Sequence, residues 1–201
     1  TDVARGNNSV ALVSALASTD RELPLKPTLV RADGREYVAL ATHGILHAYT
    51  GHAEEGLAQL RRALALAEED GNGRLVEHAY TELTETLTML GRPREAARLA
   101  GEALDVARHY GLETTHLVAN QIEALTGIGD WDEADRLSAA ALRGITSSFP
   151  YWLLTIRAGV EIGRGELDDA RAHLEAASAT LCEDHVHGLY DGYLAELALW
   201  E

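Results

Sequence analysis

Gly51-His-Ala-Glu-Glu-Gly56, Gly91-Arg-Pro-Arg-Glu-Ala96, Gly129-Asp-Trp-Asp-Glu-Ala134 and Gly165-Glu-Leu-Asp-Asp-Ala170 are variants of one phrase written four times. Their glycines start 40, 38 and 36 residues apart. A small residue follows each glycine by five places: Gly56, Ala96, Ala134 and Ala170. An alanine follows each by twelve: Ala63, Ala103, Ala141 and Ala177. Self-similarity at a period of this size is the signature of stacked supersecondary units, each too small to bury its apolar face alone.

Each unit reads as a helical hairpin. The first helix ends at the glycine, which takes the left-handed C-cap conformation without a Cβ penalty. Acidic residues such as Asp132 and Glu133 then open the second helix, where the dipole favours negative charge. In the first unit Leu57, Leu60, Leu64 and Leu66 alternate with Arg61, Arg62, Glu68 and Glu69 at helical spacing. Gly71 and Gly111 close second helices, and the recurring small residues let neighbouring helices approach where a larger side chain would overpack. The pattern predicts helices near 36–50, 53–70, 74–90, 93–110, 114–128, 131–145, 150–164, 167–181 and 186–200.

Residues 1–35 read as a lead-in, with a short helix at Val10–Ala17 and breaks at Pro24 and Pro27. Residues 36–201 carry about four hairpins and an unpaired last helix, Leu189 to Trp200. Abrupt ends at both termini lead to the expectation of a piece of a longer protein, since a solenoid needs polar caps on its terminal units.

Composition narrows the function classes. The chain has 201 residues, 46% of them hydrophobic, enough to bury a core. No window resembles a membrane span or signal peptide, and Cys182 is the single cysteine, so a cytoplasmic setting is expected. Seventeen basic residues against 32 acidic ones give a net charge of −15, which repels phosphate backbones and suits cationic partners. Lys26, the only lysine, precedes Pro27, so no phosphate-binding loop is present, and neither a G-x-S-x-G elbow nor a dinucleotide fingerprint occurs. The expectation is a non-enzymatic chain without a cofactor.

Gly129-Asp-Trp-Asp-Glu-Ala134 followed by Ala141 resembles the tetratricopeptide pattern, and the resemblance spans roughly residues 36–201. It implies an all-α fold of antiparallel helix hairpins stacked into a right-handed superhelix. The units depart from that pattern in being longer than about 34 residues, and Gly71 and Gly111 stand where proline is usual. The small residue seven places before the turn glycine is kept at Gly44, Thr84 and Ala158 and lost at Ile122. The wording LTMLGRPREAARLAGEALDVARHYGL and EALTGIGDWDEADRLSAAAL is similar to the helical-repeat region of large ATP-binding LuxR-type transcriptional regulators. That resemblance implies a sensor or interaction arm that binds an inducer or partner. The flanking ATPase and helix-turn-helix modules of that family are not in this sequence, so no direct nucleic-acid contact is assigned to it.

Tetratricopeptide arrays bind along a groove lined by first helices. Carried onto this sequence, the groove positions are Ala41, Ile45 and Tyr49; His78, Thr81, Glu85, Thr88 and Met89; His116, Ala119, Glu123 and Thr126; and Trp152, Thr155 and Ile162. A His, Glu, Thr trio recurs at matching places (His78, Glu85, Thr88; His116, Glu123, Thr126). Stacked units would place Glu85 and Glu123 on the order of 10 Å apart, favouring a peptide, protein or small cationic ligand, with Trp152 or Tyr49 supplying a cation–π face. The competing reading is a solvated polar face on a general scaffolding domain with no small-molecule ligand. A homodimer through the last helix is a further expectation.

Other residues attract blander readings. His43 and His47 share a helical face but lack the glutamate of a metalloprotease motif, so no metal is expected there. His185 and His187 do not share a face. Trp131 is expected to pack between hairpins, and Cys182 to be a small buried hydrophobe.

Overall fold

The computed structural model describes residues 35–112, 114–144, 151–179 and 188–200. The expectations for residues 1–34, Cys182, His185 and His187 lie outside the described residues. Among those described, nine helices and no strand occur: α1 (Arg35–Tyr49), α2 (Ala53–Glu69), α3 (Gly73–Met89), α4 (Pro93–Tyr110), α5 (Thr115–Gly127), α6 (Trp131–Gly144), α7 (Tyr151–Arg164), α8 (Leu167–Ser178) and α9 (Gly188–Trp200). The protein is all-α. No described helix is long and apolar enough to cross a membrane. The chain divides into two compact units, residues 1–82 and 83–201, with the boundary inside α3.

The helix ends follow from the glycines. Gly51, Gly91, Gly129 and Gly165 have φ between 70° and 93°, and Gly71 and Gly111 have 62° and 64°. At each one the next residue donates its backbone N–H to the carbonyl five positions back, as in Arg92 to Leu87, Asp130 to Leu125 and Glu166 to Glu161. This is the Schellman closure, which satisfies carbonyls that the helix end would otherwise orphan. The second helices start without side-chain caps at His52, Arg92 and Glu166. Instead each carries acid in its first turn: Glu54 and Glu55, Glu95, Asp132 and Glu133, Asp168 and Asp169. The first helices α3, α5 and α7 carry none there. Acid is thus placed where the second-helix dipole stabilises it.

In the unit of residues 1–82, α1 and α2 pack so closely that both contact positions are glycine. A methyl group at Gly44 would lie 2.7 Å from Leu60 Cγ and 2.9 Å from the Gly56 carbonyl oxygen. One at Gly56 would lie 2.6 Å from the Ala48 backbone nitrogen.

In the unit of residues 83–201 the same residues recur in successive core clusters. Ile122, Ala134 and Val160 meet in one, and Ala158, Ala170 and Leu197 meet in the next. Each hairpin is therefore closed by the first helix of its successor, and α9 takes that place on α7 and α8. Ile122, the large residue at the small position, is fully buried opposite Ala134. Turn residues link hairpins as well: Pro93 lies against Gly127, and the indole of Trp131 lies against Gly163, with no room for a side chain at that glycine. Trp131 is thus a packing residue, half-buried between hairpins.

These contacts predict opposite outcomes for two glycine substitutions. Gly56→Ala forces α1 and α2 apart, and overpacking of about 1–3 kcal/mol outweighs a helix-propensity gain of under about 1 kcal/mol. Gly101, inside α4, would meet only the Gln121 amide, at 3.4 Å. Gly101→Ala should therefore raise the melting temperature while Gly56→Ala lowers it, as read by thermal denaturation.

Candidate functional site

The first helices present the polar residues that the repeat register assigns to a binding face, but their chemistry divides sharply. Four threonine hydroxyls bond to their own helix. Thr81 donates to the Glu77 carbonyl (3.1 Å), Thr88 to Thr84 (3.1 Å), Thr126 to Ile122 (2.9 Å) and Thr155 to Tyr151 (2.9 Å). Their protons are spent on carbonyls four residues back, a habit of threonine inside helices. Thr155 is also completely buried, so it offers nothing to a groove. Ala41, Ile45, Ala119 and Ile162 are buried core residues for the same reason: their helices are covered on that side.

The carboxylates at these positions differ in burial. Glu85 (α3) is exposed and Glu123 (α5) is half-buried. Burial first, and the charge of Glu85 second, hold the Glu123 carboxyl above the usual range. The charge of Glu85 on α3 thus acts on Glu123 of α5. His116 is exposed near the start of α5, and Met89, 61% exposed, ends α3.

An aromatic on which the charge of Glu123 acts is one that the repeat register did not point to. Tyr193 of α9 lays its ring against Gly159 of α7, its hydroxyl 2.6 Å from where a Cβ would sit. Burial raises its pKa, with the charges of Glu123 and Glu196 adding to the effect, so the phenol stays protonated. Gly159 stands six residues before its turn glycine, the register position of Glu85 and Glu123. A glycine inside an apolar helix signals close approach of another group, and that signal was available in the sequence. Trp152 instead packs half-buried against two core clusters. Tyr49, 48% exposed, belongs to the unit of residues 1–82.

That first unit holds its own polar cluster. The Tyr37 hydroxyl lies 2.7 Å from His78 Nδ1, and His78 Nε2 lies 3.5 Å from Glu82 Oε1. Burial pushes the Glu82 carboxyl up to about 7. His47 engages Glu55 at 3.2 Å and sits edge-on to His52, while His43 is lowered by burial and by His47.

A second polar assembly, unforeseen in the sequence reading, is built into α6, α7 and α8. Glu161 is 1% exposed. Its Oε1 accepts from Arg157 Nε at 2.6 Å and its Oε2 pairs with His173 Nδ1 at 2.8 Å. One terminal nitrogen of Arg157 donates to Asp135 Oδ1 (2.5 Å) and Ser138 Oγ (2.8 Å). The readable hint was an Arg and a Glu four apart in YWLLTIRAGVEIGR, whose interior is otherwise apolar apart from Thr155. A cavity of about 360 Å³ lies farther along, between Ile162, Arg164, Leu167, Glu196 and Trp200. Of the groove positions only Ile162 reaches it.

No family model matches the sequence, and no curated protein matches it. Among solved structures the chain is similar to the crystal structure of BtubC (BKLC) from P. vanneervenii, with a TM-score of 0.68 and 19% identity over 98% of this chain and 80% of that one. At that identity the likeness is one of helical fold.

The two buried carboxylates give separate predictions. Arg157→Met leaves Glu161 buried without its guanidinium and with Asp135 as a second acid of the assembly, and should cost about 3 kcal/mol in urea denaturation. Arg98→Met breaks the exposed 2.5 Å pair with Glu102 and should cost under about 1 kcal/mol. For Glu82 the folded state binds more protons than the unfolded state between the ordinary carboxyl value of 4.5 and about 7, so its ionisation erodes stability as pH rises through that window. Glu82→Gln should therefore stabilise the protein at pH 8 and change little at pH 4; equal effects at both pH values would contradict this.

Proposed function

We propose that this chain is the non-enzymatic sensor or interaction arm of a transcriptional regulator. In this reading it holds a basic polypeptide segment or a small cationic ligand on a tetratricopeptide-like face formed by first helices. One observation carries the cationic preference: Glu123 is a half-buried carboxyl whose ionisation is opposed by burial and by Glu85. A cation between the two acids would relieve both effects, and the overall charge of −15 would steer such a guest toward the chain. Tyr193 supplies the neighbouring aromatic, replacing the expected Trp152. The regulator setting rests on the resemblance of the repeat wording. A protein in this role would act within the cytoplasm and pass a change in hairpin stacking to modules beyond these residues.

A scaffolding role without a small-molecule ligand is the second reading. It is favoured by Met89, an apolar side chain 61% exposed at the end of α3, which suits a polypeptide better than a small ion.

Calorimetric titration with an arginine-rich peptide tests the proposal. Glu85→Gln combined with Glu123→Gln should weaken binding about tenfold at low salt and flatten its salt dependence. Because Glu123 has a raised pKa, binding to the parent near pH 5 should release protons. Equal affinity of parent and double variant at low salt would remove the electrostatic basis of the reading.

A further inference from the structure

The Glu161 assembly spans three helices of two hairpins: Asp135 and Ser138 on α6, Arg157 and Glu161 on α7, and His173 on α8. We propose that it is a pH-responsive clasp that fastens α8 to α7, which Arg157 in turn ties to α6, with His173 as the member that opens it.

The argument begins with counting charges. With His173 protonated, two cations (Arg157, His173) face two anions (Glu161, Asp135), and the assembly is neutral. When His173 loses its proton, Arg157 alone serves both carboxylates. Glu161 is 1% exposed and cannot recruit water to compensate, so the excess negative charge resides in a poorly solvated place. Asp135, 34% exposed, and His173, 30% exposed, are the members that solvent reaches. The proton therefore has a route in and out, while the group that depends on it does not.

The surroundings of His173 are well defined. From α7 it meets Glu161, which raises its pKa by hydrogen bond and charge, and Arg157, which opposes that rise. From its own helix the Asp169 backbone adds a smaller upward effect, and burial acts downward. The charges of α9 act elsewhere, Asp191 on Tyr151 and Glu196 on Tyr193. The net direction is upward, which fixes the sign. The stabilisation is fully present below the unfolded value of 6.5 and is lost as pH rises through the folded value.

Gly159, which seats Tyr193, lies two residues from both Arg157 and Glu161 on the same helix. Opening the clasp would loosen the seat of Tyr193, on which the charge of Glu123 acts. That link to binding rests on the proposed function, whereas the clasp itself does not.

Hydrogen exchange on the free chain, corrected for the intrinsic pH dependence of amide exchange, tests the clasp without any ligand. The amides of α8 should exchange about two- to fivefold faster at pH 8.5 than at pH 6, the range of a partly exposed ion pair. In His173→Gln they should exchange at the faster rate at both pH values. Unchanged α8 protection in the parent, or the same pH difference in His173→Gln, would overturn the proposal. Should that variant not fold, a resonance titration of the parent decides: α8 amide shifts that follow the His173 ring uphold the clasp, and shifts that ignore it overturn it.

Discussion

Reversing a helical chain in a few residues requires a backbone conformation that L side chains resist, and everything else in this protein is arranged around that requirement. Six glycines among the described residues take it up. Each lets the following amide reach back to a carbonyl five residues earlier, so a helix can end without wasted hydrogen-bonding groups. Short reversals bring consecutive helices close together, and closeness in turn demands small residues where they touch. Gly44 against Gly56, and Ala158 with Ala170, are consequences of the turn as much as features of the core.

Charge is distributed with similar economy. Much of the acid sits in the first turns of second helices, where the dipole welcomes it and solvent screens it. A few carboxyls are placed against that logic. Glu82 and Glu123 are held above their ordinary pKa chiefly by burial, and Glu161 is sealed between helices. Glu161 is matched by Arg157 and His173 and acts as internal glue. Glu123 has the charge of Glu85 acting on it, an arrangement that opposes its ionisation.

The repeat register made most of the fold legible. The expected helix near 93–110 is observed at Pro93–Tyr110, and the one near 131–145 at Trp131–Gly144. The expected end near 181 retreats to Ser178 in α8. The candidate site was legible only in part, because register says which face a residue occupies and not what covers it. Thr155 has the right register and is fully buried, its hydroxyl given to Tyr151. Trp152 is held against core clusters, while Tyr193, 41 residues later in the chain, arrives against Gly159 because α9 folds back onto α7.

The sequence by itself determined the helices, their turns and the spacing of small residues, since these depend on local backbone preference and on side-chain volume repeated at fixed intervals. Only the tertiary structure decided which polar groups are open and which are spent. Whether a carboxyl such as Glu161 is glue or a carboxyl such as Glu123 is exposed to a like charge depends on residues 12 to 38 positions away. Burial and electrostatics act through space, and no local pattern contains them.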